Sequence, residues 1–143
     1  MRIGRCIALV MGIGFGLMAW PHSVAAQACK DETSMVDESK KALADAVSTV
    51  KQESLSDFEK AYHQKSVVNK LGFFGVTVDS LLTCLEKDAQ DQSASKEVVD
   101  AAKAQHEIYV KLKDKIQHDH NTLKALAAPK QAKEYVEKLD EAT

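Results

Sequence analysis

An all-α fold is predicted for this chain: an antiparallel three-helix bundle of two long helices and a shorter N-terminal one, with a short C-terminal helix and one disulfide. Three observations predict it. Beyond residue 28, apolar residues recur at alternating spacings of four and three, which is the helical period. The same stretch holds only two glycines, Gly72 and Gly75, and one proline, Pro129, so it should have few turns and is poor material for sheets or loop-built sites. Two cysteines, Cys29 and Cys84, fall where a folded-back helix pair would bring them together.

Residues 1–28 are read as a cleaved signal peptide, and 29–143 as a single helical domain. Arg2 and Arg5 precede an uncharged apolar run, Cys6 to Trp20, and a small-residue stretch from Pro21 to Ala28 follows. That order is the secretory signature. The run spans 15 residues, short of the roughly 20 that cross a bilayer. Cleavage fits best after Ala28 or Ala26, where small side chains occupy the −1 and −3 positions. An uncleaved anchor is the first rival reading. Lipidation of Cys29 is the second, although no large aliphatic residue lies three positions before it. Export implies a periplasmic or secreted location, with no stable membrane insertion after cleavage.

Removing the signal changes the composition. It takes both arginines and no acid, leaving 17 lysines against 21 carboxylates. A net charge of −4 offers nothing to nucleic acid or an anionic membrane. Arginine's bidentate recognition of phosphate is lost as well. Of three cysteines, Cys29 and Cys84 remain, and in an oxidising compartment they are expected to pair. The loop closed is about 55 residues, which the chain-entropy argument values at roughly 4 kcal/mol.

The first helix is predicted from about Glu32 to Gln52, with a seam at Val36, Leu43, Val47 and Val50 and Lys40 filling the gap. The second opens at Ser56, where Glu59 three residues on completes a capping box. Its seam is Val67, Leu71, Phe74, Val78, Leu81 and Leu85; Leu55, Phe58 and Tyr62 are expected to continue the apolar face at its start. Leu71 to Leu85 is apolar on most sides and is expected to be the most buried stretch. Gly72 and Gly75 cost roughly 1 kcal/mol each inside a helix. Close approach of another helix is the preferred reason for them, a kink in Gly-Phe-Phe-Gly the alternative. A polar link over 88–93 leads to the third helix, about Ala94 to Ala127, ended by Pro129. A fourth, Gln131 to Leu139, carries Tyr135, Val136 and Leu139. The two long helices, each about 50 Å, are expected to pair antiparallel across the short link. A fold-back of the first helix about residue 55 sets Cys29 opposite position 81, within one turn of Cys84.

No residue set matches a catalytic, metal or cofactor motif, and none is assigned. His118-Asp119-His120 tempts as a metal site, but residues two apart on a helix point to different sides. A solvated surface is the simpler reading. Asp119 and Gln105 interrupt the third helix's seam and are expected to be solvated or to fix register. Haem lacks both CxxCH and core-facing axial ligands. Cys84 has no adjacent base, so an enzyme is not expected. Phe73, Phe74 and Tyr109 are candidates for a pocket or partner-binding patch, against an ordinary role as core aromatics. An exposed Phe73 would favour a patch, because large exposed apolar groups mark interfaces. Two functions stay open: a protein-binding bundle of the inhibitor, immunity, chaperone or secretion-accessory kind, or a small-molecule or metal carrier. A carrier would need a cavity lined by Phe74, Val78, Tyr109 and Leu112. No cofactor is expected, and the oligomeric state is not assigned.

Overall fold

The computed structural model describes residues 29–126 and 132–142. The signal segment and the helix stop at Pro129 lie outside the described residues. Among the described residues the fold is all-α, in four helices: α1 (Lys30–Val50), α2 (Asp57–Gln90), α3 (Lys96–Leu126) and α4 (Ala132–Ala142). α2 extends through the first residues of the expected polar link.

α2 is the central element, and both α1 and α3 pack along it. Its seam is buried as the periodicity requires: Val67, Leu71, Phe74, Val78, Leu81 and Leu85 all join the core cluster. α1 contributes Val36, Leu43, Val47 and Val50, and α3 contributes Ile116, Leu123 and Leu126.

The flanks of α2 are set by particular contacts. Toward α3, a Cβ added at Gly72 would lie 3.3 Å from His120 Nε2, and one at Gly75 would lie 3.4 Å from Ile116 Cγ2. The glycines therefore serve close packing, and α2 is one continuous helix through them. Asp79, one turn on, forms an ion pair with Lys113. Toward α1, Thr77 and Ser39 share a buried hydrogen bond of 2.8 Å. Farther along, Cys29 and Cys84 form the disulfide, with Cα atoms 5.9 Å apart. At about 100° per residue, positions 72, 75 and 79 lie on the opposite side of α2 from 77 and 84. α1 and α3 thus take opposite flanks.

α4 closes the seam side at the end where α1 stops and α2 begins. Tyr135 and Leu139 are fully buried there. Lys51 pairs with Asp140, and Lys115 Nζ donates to the Glu141 carbonyl at 2.8 Å.

Several sequence expectations need correction. Lys40 is exposed, and Ser39 takes the inward position of α1. The hydroxyl can sit there because Thr77 and the Val36 carbonyl satisfy it. Phe58 and Tyr62 do not continue the core face: they are 83% and 67% exposed. Phe73 and Val76 are also open, so α2 is covered on its seam and flanks but not all round. With a neighbour on each flank and the seam on one side, nothing reaches the fourth. Asp119 is not solvated at an open end; it is half-buried and paired within its helix to Lys115, at 3.0 Å.

One buried group is unsatisfied. Gln64 is 1% exposed, and neither its amide nitrogen nor its amide oxygen has a partner. Its backbone carbonyl accepts the Tyr135 hydroxyl at 2.7 Å, so α4 covers the side chain without pairing it.

Two stability predictions follow from this arrangement. Gln64→Met keeps the volume and removes two unpaired polar atoms, so the urea midpoint should rise by an equivalent of about 1–3 kcal/mol. Cys84→Ser should lower stability by roughly 4 kcal/mol. Reducing the unaltered chain should bring its midpoint to the same place.

Candidate functional site

A site on this fold must be made from helix faces, since the described helices are joined by short links. The largest unspent resource is apolar surface left in water. Of the seven exposed large hydrophobic residues, four lie on α2: Phe58, Tyr62, Phe73 and Val76. At 100° per residue these four fall within about 60° of arc, on the side of α2 turned away from its seam. They form an outer stripe in two pairs, Phe58 with Tyr62 and Phe73 with Val76. Lys65 and Asn69, both exposed, lie between the pairs. Together the four leave on the order of 500 Å² of side-chain surface open, divided between the two pairs.

The start of the stripe is fixed locally. The Ser56 hydroxyl accepts the Glu59 backbone N–H at 3.3 Å. Glu59 Oε2 accepts both the Ser56 N–H at 2.9 Å and its hydroxyl at 2.6 Å. These bonds hold the Glu59 carboxyl below its ordinary value, the Ser56 side chain contributing most. The cap determines where α2 begins and so places Phe58 in its first turn.

The three candidate aromatics separate. Phe73 is 58% exposed while Phe74, its neighbour, is in the core at 5%. Consecutive residues on a helix differ by 100° of rotation, enough to put one on each side. Tyr109 is half-buried and packs against the core from α3. Its hydroxyl is pushed upward in pKa by burial, and further by Asp37 of α1. Tyr109 therefore lies on the seam side of α2, opposite the stripe. Phe74, Tyr109 and Phe73 do not form one site.

Other candidates are dispersed. His118 is exposed, while His120 is half-buried against Gly72. Among the described residues, one group brings three ligand-type atoms within 4.8 Å: Cys29, Cys84 and Asp88. Both sulfurs are committed to the disulfide, and the Asp88 carboxylate lies 3.3 Å from Cys29 Sγ. An open groove of about 340 Å³ runs between the end of α2 and the start of α3, lined by Glu86, Ala89, Gln90, Lys103, His106 and Glu107. The residues proposed for a carrier cavity are placed otherwise: Phe74 and Val78 are buried in the core, and Tyr109 and Leu112 pack against it.

Comparison with known protein families, curated proteins and solved structures gives no match. The sequence pattern marks the seam of α2 well and the stripe poorly, because Phe58 and Tyr62 look like a continuation of the core. The available signal was the phase: 58, 62, 73 and 76 share an arc that the seam does not use.

The cap carries a pH signature. A carboxyl lowered on folding contributes stability that is fully present above its unfolded value of 4.5. That contribution fades as pH falls through the lower folded value. An NMR titration should place Glu59 below ordinary glutamates, and Ser56→Ala should return it to their range. An unchanged titration in Ser56→Ala would rule out the cap as the cause.

Proposed function

We propose that this chain is an exported protein of a bacterial envelope, periplasmic or secreted, that acts by binding another protein. Inhibitor, immunity, chaperone and secretion-accessory roles all fit such a binder. The observation that carries the reading is the outer stripe of α2. Phe58, Tyr62, Phe73 and Val76 are held in water on a rigid 34-residue helix, where a loose apolar surface would invite aggregation. A helix face displaying aromatic anchors at intervals of one turn or more is suited to extended contact with a partner. The Cys29–Cys84 cross-link supports an oxidising location, because disulfides persist there. It also stiffens the element that carries the stripe.

The carrier alternative draws less support, since the residues that would line its cavity are occupied in packing.

The test is a comparison of captures from envelope extract. Unaltered chain and a Phe73→Ser/Val76→Ser variant, both shown to be folded by circular dichroism, would be used as bait. A partner retained by the first and lost by the second is expected. Ile108→Ser, exposed on α3 away from the stripe, should retain it. Equal capture by all three would refute a role for the outer face.

A further inference from the structure

We infer that the partner of this outer face is an acidic amphipathic helix of another protein, a step that rests on the protein-binding reading above. The ground for it is how charge is segregated around the stripe. The chain as a whole is acidic, with 21 carboxylates against 19 cations. Along the stripe, however, α2 carries Lys65 and Lys87, and the carboxylate at its edge, Glu59, is bonded to Ser56 in the helix cap.

α3 repeats the pattern. The Gly72–His120 contact fixes which side of α3 borders the stripe. Proceeding outward from His120, that side carries Lys113 and Lys124 with no carboxylate between them; Lys103 and His106, farther along, share a groove with Glu86 and Glu107. Asp79, at the boundary between the two helices, is already paired with Lys113. On α1, the outward positions level with the aromatic pairs are Ala42, Ala46 and Thr49. These three are uncharged and partly buried, Ala46 against the core, while Asp45, exposed one turn before Thr49, carries charge beside them. The face is therefore apolar along its centre and cationic along its α3 side, on a molecule with an excess of acid.

This pattern selects among occupants. A second copy would bring a face with the same excess of lysine against this one, and like charges juxtaposed at an interface oppose association. An anionic lipid surface would attract Lys65, but the chain's overall excess of carboxylates would oppose it. It would also meet the acidic end of α1, at Asp31, Glu32 and Glu38. A helix can avoid that acidic end: its apolar face seats on the two apolar pairs, and its carboxylates reach Lys65 between them and Lys124 beside them. Salt-sensitive steering would follow from the same arrangement.

The test uses the full, oxidised chain and three fluorescent helical peptides with a common Leu/Ala face and Glu, Gln or Lys at all other positions. The Glu peptide should bind at least about tenfold more tightly than the Gln peptide, and the Lys peptide should not bind. Added sodium chloride should shrink the gap. Phe73→Ser/Val76→Ser should abolish binding of the Glu peptide. Lys65→Glu/Lys124→Glu, at two exposed positions, should erase the preference and leave weak binding of the Gln peptide. Equal binding of Glu and Gln peptides would overturn the acidic partner and leave protein binding standing. So would binding that ignores the Phe73 and Val76 changes, or capture by phosphatidylglycerol vesicles in place of the Glu peptide. The capture experiment above judges the underlying reading independently.

Discussion

The seam of α2, from Val67 to Leu85, has to be taken out of water, and α2 cannot do this alone. An isolated helix gains little from propensity; its stability comes from the face it buries. Two neighbours share the work. α1 covers the seam from one flank and α3 from the other, with Tyr109 reaching the vicinity of Asp37. α4 completes the cover at one end. The rest of the architecture is a consequence of this division. Gly72 and Gly75 let α3 approach on its flank. Ser39 and Thr77 set the rotation of α1 on the other, and the disulfide fixes its far end.

The same division leaves one side of α2 without a neighbour. Three helices around a common axis would have hidden most of α2. Two helices on opposite flanks hide the seam and expose the reverse side. The aromatic stripe is therefore a product of topology as much as of composition. The cations gathered beside it are harder to ascribe to folding. Surface ion pairs contribute little to stability, and Lys65 and Lys124 would serve the fold equally well as glutamates.

Much of the fold was legible in the residues. The four-and-three spacing of Val67 through Leu85 identified the buried seam without error, and Ser56 with Glu59 marked the start of α2. The pairing of Cys29 with Cys84 followed from chain reversal near residue 55. What could not be read was which positions a neighbour would actually reach. Lys40 and Ser39 are equally placed on the period of α1; only the presence of the Thr77 hydroxyl opposite makes serine the inward one. Phe73 and Phe74 are alike in chemistry and adjacent in sequence. Their opposite fates depend on where α1 and α3 sit, which is information held in distant residues. Asp119 looked like a flaw in a seam because its partner, Lys115, lies on its own helix and not across the interface.

Gln64 gives this molecule an uneven mechanical character. At one end of α2, a covalent bond ties α1 to the central helix. At the other, α4 rests over an amide that loses both its water partners and gains none in return. Local opening follows the weakest cover, so release of α4 restores solvent to Gln64 while the seam beyond it stays shut. The two ends of α2 are thus held by different means: a covalent bond at one, and at the other the packing of α4 beside an unpartnered amide.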